Sequence, residues 1–169
     1  ARMYEAKFLM GAIAGAMAEN GQLAYIADYP IFGTIANINA FALGAKMVNP
    51  RAQIYLEWST LKDVDLGIAM DNVIKKGVTV VSGQDMVIPE DASRYFGLYH
   101  IEKEGPRNLA MPLWHWGKFY EQLIRTIMDG TWKYDDNKDE TKAINYWWGL
   151  SAEVIDVIYS QNLPIGTQK

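Results

Sequence analysis

The chain has 169 residues, 50% of them apolar and 21% charged, which is the composition of an ordinary globular protein. Its formal net charge of −4 provides no basic surface for a phosphate backbone, so nucleic acid is not an expected partner. The absence of cysteine excludes disulfides, zinc–thiolate sites and thiol catalysis. At this length we expect residues 1–169 to form a single domain.

The first predicted element is a helix over residues 4–19. The segment is Ala-rich, its apolar residues recur at helical spacing, and an Asn-Gly pair ends it. Within it, the Gly11-x-x-x-Gly15 pattern predicts close packing against another helix. The uncharged stretch 8–18 is too short to cross a bilayer, so we expect no membrane insertion of this chain.

Short apolar runs then alternate with helical patterns through the first half of the chain. The run LAYIA at residues 23–27 lies between turn signals and is apolar throughout, as expected of a buried strand. Further strands are predicted at 53–58 and 78–81, and further helices at 34–48 and 63–76. The residues of the last helix expected to face the core are Leu66, Met70, Val73 and Ile74.

The second half is predicted to continue the alternation. Helices are expected at 89–94, where a proline occupies the first turn, and at 117–128. The remaining predicted strands are 95–99, 109–114, 145–150 and 154–159. Residues 135–142 are predicted to be a polar loop, and 164–169 a linker or the cut end of a fragment. The whole pattern predicts an α/β fold, a three-layer α/β/α sandwich with a mainly parallel sheet.

Ligands of open α/β sheets bind at the carboxyl ends of the strands, so the residues that follow each predicted strand are candidates for a site. They combine aromatic rings with hydrogen-bonding groups, which suits a small, flat, polar molecule. The candidate ligand-binding residues are Asp28, Tyr29, Pro30, Phe32, Trp58, Ser59, Gln84, Asp85, Trp114 and Trp116. For Trp58 and Trp114 the alternative is that they are core residues at strand ends.

Evidence for catalysis is sparse. The sequence has no G-x-G-x-x-G after the first strand, no G-x-x-x-x-G-K-[ST] and no G-x-S-x-G, and the spacing of its Asp and His residues matches no metal-ligand pattern. We therefore expect no catalytic residues, no metal and no cofactor. The alternative is an α/β enzyme that uses His115 and Asp85 as acid and base.

Three stretches of the chain match motifs of one family. YEAKFLMG (4–11) is similar to Y-E-A-x-[YF]-L-x-G, and INAFALGAKMVNP (38–50) is similar to I-N-A-F-A-L-G-A-x-x-V-N-P. WHWGKFY (114–120) is similar to W-N-W-G-x-[YF]-Y and is followed by DGTWK (129–133). By these motifs the chain resembles the basic membrane lipoprotein (BMP) family, substrate-binding proteins of ABC transporters that include purine nucleoside receptors.

The resemblance implies one lobe of a type I periplasmic-binding-protein fold, in which two lobes clamp a ligand between them. The chain resembles the C-terminal lobe, a fragment of a two-lobed parent. The implied function is the solute-binding component of an ABC uptake transporter, with a small-molecule ligand and the transporter permease as partners. The parent would be extracytoplasmic and anchored to the membrane as a lipoprotein. A ligand-sensing domain of a regulator, built on the same lobe, is an alternative.

The resemblance also suggests residues of the ligand site. It places the loop 28–31 beside the ligand, matches Trp58-Ser59-Thr60 to a W-[ST]-N strand end with threonine replacing asparagine, and puts Gln84 and Asp85 in a loop that reaches the cleft. Nucleoside-binding members carry an acidic or amide residue in a G-x-[DN]-S-D segment. The corresponding stretch here, GLYHI (97–101), has no carboxylate.

Aromatic surface at the predicted cleft edge bears on the ligand class. A nucleobase stacks on such rings through its π-face. The rings expected at this edge are Tyr29, Phe32, Trp58, Trp114 and Trp116. They predict a purine-like or other flat heterocyclic ligand, with a nucleoside as the family default. The alternative is that two of the five rings belong to the core and the rest line a differently shaped site.

Overall fold

The computed structural model describes residues 1–61, 63–86, 93–130 and 146–168. Its helices are α1 (Met3–Met17), α2 (Phe32–Val48), α3 (Leu66–Lys75), α4 (Trp116–Met128) and the single-turn α5 (Ile165–Gln168). Its strands are β1 (Gln22–Ala27), β2 (Gln53–Trp58), β3 (Val80–Ser82), β4 (Leu98–Glu102), β5 (Gly105–Trp114) and β6 (Ile155–Tyr159). A 3₁₀ turn, Leu150–Ala152, precedes β6. No helix in these ranges is long and apolar enough to cross a membrane.

The six strands form one mixed sheet in the order β2-β1-β3-β4-β5-β6. β1 pairs in parallel with β2 and β3, and the pairs β3–β4, β4–β5 and β5–β6 are antiparallel. The predicted α/β class is confirmed, but the sheet is mixed rather than mainly parallel. The reason is local, because only Lys103 and Glu104 separate β4 from β5. Two residues close a hairpin and cannot make the crossover that a parallel pair needs.

Helices cover both faces of the sheet around β1. Successive strand residues point to opposite faces, so Tyr25 joins the core beneath α1 and α2, whereas Ile26 joins a second core with Val73 of α3. All five residues 23–27 are buried, which explains why the run is apolar throughout. The predicted three-layer arrangement is present around these first strands.

The contact between α1 and α2 depends on glycine. A Cβ added at Gly11 would overlap the backbone of Phe41, and one added at Gly44 would overlap the backbone of Phe8. The two helices therefore cross at backbone contact, and the small-residue pattern predicted for α1 reflects this crossing. Phe41 itself is fully buried and packs edge-on against Tyr25, with ring centroids 5.3 Å apart.

The fourth and fifth strands differ from their predicted bounds. The predicted strand 95–99 is replaced by β4, which begins only at Leu98. Gly97 explains the shift, because its φ of 67° is a left-handed conformation that interrupts an extended strand. β5 begins at Gly105, four residues before the predicted strand.

Two other expectations were wrong. Residues 146–150 are not a strand, because their hydrogen bonds go to the start of α1: the Arg2 N–H donates to the Trp148 carbonyl (2.8 Å), and the Leu150 N–H donates to the Glu5 carboxylate (2.9 Å). Ile74 is 49% exposed, because the buried stripe of α3 runs through its neighbour Val73.

Some predicted segments fall outside the described residues, and one terminal segment differs. Most of the predicted helix 89–94 and all of the predicted loop 135–142 lie outside the described ranges. The segment predicted as a linker, 164–169, contains the helical turn α5.

Replacing Ile26 with alanine should lower the free energy of unfolding by about 2–5 kcal/mol, because it leaves a cavity in a core where Ile26 is only 2% exposed. Urea denaturation followed by circular dichroism measures the change. Ile74→Ala is the matched control and should cost less than about 1 kcal/mol, since half of that side chain is already in water. Equal losses in the two variants would contradict the assignment of Ile26 to the core.

Gly11→Ala should destabilise the protein by about 1–3 kcal/mol or more, because α1 and α2 must separate to admit the methyl group. Gly33→Ala in the first turn of α2 is the control. Nothing lies within 4 Å of a Cβ at Gly33, so the higher helix propensity of alanine should leave stability unchanged or raise it by up to about 1 kcal/mol. Thermal unfolding of both variants measures the effect. A Gly11→Ala variant as stable as the wild type would contradict the backbone contact between α1 and α2.

Candidate functional site

A cavity of about 430 Å³ opens at the carboxyl ends of β1 and β3. Helices α1 and α2, the loops after these two strands, the residue before Gly97 and the end of β5 contribute to its wall. Its lining residues are Lys7, Tyr25, Ile26, Ala27, Asp28, Thr34, Asn37, Gly83, Gln84, Asp85, Phe96 and Trp114. The position agrees with the general rule for ligand sites in α/β sheets.

Strand direction explains why distant residues meet there. β4 is antiparallel to β3, and β5 is antiparallel to β4, so β5 runs in the same direction as β1 and β3. The carboxyl end of β5 therefore lies at the same edge of the sheet as theirs, which brings in Trp114. β4 starts at this edge, and Phe96 lies just before it.

The most buried polar group of the cavity is Lys7. It lies on the buried face of α1 between Met3 and Met10 and is only 1% exposed. Its Nζ donates to Asp85 Oδ1 at 2.5 Å and lies 5.5 Å from the centroid of the Tyr25 ring. The carboxylate that it contacts is 15% exposed and belongs to the cavity wall.

Two groups of this cluster have shifted pKa values. Burial alone would lower the pKa of Lys7, but the Asp85 carboxylate and the Tyr25 hydroxyl outweigh it and hold that pKa above its ordinary value. Burial raises the pKa of Tyr25, which Lys7 opposes and Asp85 reinforces. Lys7 is therefore charged at neutral pH, although it is fully enclosed by protein.

The loop after β1 is held in place by short polar contacts. Asp28 Oδ1 accepts from its neighbour's backbone N–H (2.7 Å) and lies 3.4 Å from the Thr34 hydroxyl. The Thr60 hydroxyl donates to the Asp28 carbonyl, and the Ser59 hydroxyl donates to the Ala27 carbonyl at 3.2 Å. Ser59 and Thr60 thus connect the ends of β2 and β1, whereas Asp28 lies at the cavity.

Four of the ten candidate residues line the cavity: Asp28, Gln84, Asp85 and Trp114. The other six are Tyr29, Pro30, Phe32, Trp58, Ser59 and Trp116, and they lie outside its lining. Tyr29 and Phe32 are 61% and 84% exposed, and Trp116 is exposed beside Phe119. Trp58 packs against the core beneath α1 and α2. That these six residues contact the ligand stays a prediction.

The alternative acid–base pair is not assembled. His115 Nε2 lies 3.3 Å from Asp156 Oδ2 on the surface, whereas Asp85 is paired with Lys7. His115 is not among the lining residues of the cavity. Within the described ranges, no three histidine or acidic side chains are grouped so that they could hold a metal ion.

Sequence reasoning missed Lys7, Tyr25, Thr34, Asn37 and Phe96. The sequence does contain a signal for Lys7. It lies within the apolar stripe of α1, where a lysine is seldom buried unless an acidic side chain pairs with it. Tyr25 was identified only as an apolar strand residue. The position of Phe96 at the cavity could not have been predicted from the sequence. It depends on the left-handed conformation of Gly97 and on the pairing of β4 with β3 and β5.

Comparison with known proteins identifies the family of the chain. Residues 1–90 match the Bmp family, described as ABC transporter substrate-binding protein PnrA-like. The match covers more than half of the sequence, and the chain belongs to this family. The resemblance inferred from the three motifs is confirmed, and with it the substrate-binding class.

Two relatives match nearly the whole chain. A purine-binding protein of Brucella abortus (strain 2308) is 26% identical over 182 aligned residues, which cover 100% of this chain and 49% of the relative. A putative ABC transporter glucose-binding protein, TsgA13 of Haloferax volcanii, is 29% identical over 163 residues, which cover 90% of this chain and 39% of the relative. The chain therefore spans about half the length, or less, of these relatives.

A solved structure supports the fold. The crystal structure of a transcriptional activator of the comK gene from Bacillus halodurans matches with a TM-score of 0.60 and 12% identity. The match covers 98% of this chain and 58% of that chain. At this identity the likeness concerns the fold alone.

Stability should be constant from neutral pH to about pH 9.5 and fall above about pH 10. The pKa values of Lys7 and Tyr25 are higher in the folded protein than in the unfolded chain, so the unfolded chain releases these protons first as the pH rises. Urea midpoints at pH 7, 9 and 10.5 measure the effect. Tyr25→Phe should reduce the alkaline loss, and Tyr120→Phe on the exposed face of α4 should not. An unchanged midpoint at pH 10.5 would refute this.

Proposed function

We propose that the chain is one lobe of a two-lobed solute-binding protein of an ABC uptake system, and that it binds a flat heterocycle such as a purine nucleobase or nucleoside. The second lobe would close over the cavity by a hinge motion, with no covalent step. The family assignment covers substrate binding in general. The heterocyclic ligand and the closure of two lobes are what we propose in addition.

One observation carries the proposal: the cavity combines aromatic rings with side chains that accept and donate hydrogen bonds. Phe96 and Trp114 offer aromatic surface, and Asn37 and Gln84 offer amides with both a donor and an acceptor. Its volume of about 430 Å³ lies within the range of small-molecule sites, roughly 300–1,000 Å³.

The charges of the lining favour a ligand without negative charge. Among the described lining residues are the two carboxylates of Asp28 and Asp85 and one ammonium, on Lys7, which is already paired with Asp85. An anionic ligand would therefore meet an uncompensated carboxylate and no free cation among the described residues that line the cavity. A nucleobase or nucleoside presents N–H and O–H donors that a carboxylate accepts, whereas a nucleotide brings an additional phosphate charge.

The names of the relatives support two ligand classes. One relative is a purine-binding protein and the other a putative glucose-binding protein. Stacking on Phe96 and Trp114 favours the heterocycle, since base–aromatic stacking contributes roughly 1–3 kcal/mol per base in nucleic-acid systems. A sugar is the competing outcome, because the same polar side chains could bind its hydroxyl groups.

The cellular setting belongs to the same proposal. The parent protein would be extracytoplasmic, anchored as a lipoprotein, and would deliver its ligand to a transporter permease. The family assignment supports the extracytoplasmic location and the permease partner. The sequence of the parent gene tests it: a signal peptide followed by a lipidation cysteine favours transport, whereas a DNA-binding segment would favour the regulator alternative.

The ligand class is tested by calorimetry on the full-length parent with adenine, guanosine, inosine, a thiamine-like compound, guanosine monophosphate, glucose and an amino acid. We expect binding of at least one uncharged purine and weaker binding of the monophosphate. Binding of glucose or the amino acid, with none of the heterocycles bound, would overturn the heterocycle proposal.

Trp114→Ala should weaken binding of that purine by about 1–3 kcal/mol, through the loss of ring contact. His115→Ala is the matched control one residue away and should bind as the wild type does, because its side chain lies outside the cavity. Assays for chemical change of the bound ligand accompany both titrations. A turnover that His115→Ala abolishes while binding is retained would favour the enzyme alternative.

A further inference from the structure

The Lys7–Asp85 pair is an unusual feature of an otherwise apolar helix face. Met3, Ala6 and Met10 surround Lys7 on α1, and each of them is buried. Enclosing an ammonium requires a partner, and a buried pair seldom adds stability relative to apolar residues of similar volume. Stability alone therefore gives a weak reason for a charge at this position.

Within the described ranges, the protein uses a single oxygen of Asp85. Oδ1 accepts from Lys7 Nζ, whereas Oδ2 makes no hydrogen bond within the described part of the chain. Because Asp85 belongs to the cavity lining, its second oxygen is an acceptor available to a ligand at this wall. The carboxylate cannot turn away from Lys7 without leaving a buried charge unpaired.

The backbone next to Asp85 is also held in place. The Gly83 N–H donates to the Gly97 carbonyl at 2.8 Å, and the Gly97 N–H donates to the Gln84 carbonyl at 2.7 Å. A Cβ at Gly83 would overlap the backbone carbonyl of Tyr95, so this approach requires glycine. Residues 83 and 84, which precede Asp85, are thus held in place by these contacts, which lowers the entropic cost of presenting its carboxylate to a ligand.

We propose that Lys7 is a positioning residue, which holds Asp85 so that its free oxygen accepts a hydrogen bond from an N–H or O–H group of the bound ligand. The inference rests on the proposed function in that it needs a ligand in this cavity. It holds for a purine and for a sugar alike, since both present such donors. In this proposal Asp85 supplies a carboxylate acceptor to the cavity, whereas the segment 97–101 has none.

The test compares variants of the full-length parent by calorimetry, with whichever compound of the panel adenine, guanosine, inosine, the thiamine-like compound, guanosine monophosphate, glucose and the amino acid the wild type binds. Lys7→Met should weaken binding by about 10- to 100-fold, the range for losing a well-placed charged hydrogen bond. Lys7→Arg keeps the cation and should bind more tightly than Lys7→Met. Lys75→Met, at an exposed lysine of α3, should bind as the wild type does. Thermal unfolding of each variant checks that a loss of affinity is not a loss of fold.

The outcomes separate this inference from the proposed function. Wild-type affinity in Lys7→Met would overturn the positioning role and leave the proposed function intact. Binding of glucose alone would overturn the heterocycle class, and the same variants would then test Lys7 with glucose. If the wild type binds none of the probes, both proposals fail.

A second variant covers the case in which Lys7→Met does not fold. Lys7→Met/Asp85→Asn removes both charges together, so no buried charge is left unpaired. It should fold and bind at least about 10-fold more weakly than the wild type, because its amide is neither charged nor held by Lys7. Wild-type affinity in this double variant would show that the pair serves the fold alone.

Discussion

The backbone contact between α1 and α2 is the constraint on which the cavity depends. Gly11 and Gly44 let the two helices touch, which sets their position above β1. That position brings Lys7 from one helix and Asn37 from the other to the carboxyl end of the strand. A larger side chain at the crossing would displace the helices that carry the cavity wall, so packing and binding geometry are coupled.

A buried charge connects this helix layer to the loop after β3. An apolar residue in place of Lys7 would suit the neighbouring methionines, but Asp85 and Tyr25 outweigh the cost of desolvating the ammonium and keep Lys7 charged. The pair lies at the cavity wall, where an oriented carboxylate is useful for recognition. A pair that gives the fold little advantage over apolar residues of similar volume thus lies where it could aid binding.

The mixed sheet places distant parts of the chain at one edge. Asp28 follows β1, Asp85 lies in the loop after β3, and Trp114 ends β5, so three strands that run in the same direction deliver them to one place. The hairpin between β4 and β5 is responsible, because two successive antiparallel pairings restore the original direction. The cavity therefore forms at the carboxyl ends of β1, β3 and β5 although half of the sheet is antiparallel. The rule that places ligands at the carboxyl ends of strands was formulated for parallel sheets.

The amino-acid pattern by itself determined the elements of the first half and the family. β2 has its predicted bounds, and α1, α2 and β1 lie within two residues of theirs, because apolar spacing and turn residues are local signals. The tertiary structure alone decided which strands pair beyond β3, that Lys7 faces Asp85 across 78 positions of sequence, and that Trp114 lines the cavity whereas Trp58 does not, although both pack against the core. These outcomes depend on contacts between residues far apart in the chain, and local spacing carries no information about such partners.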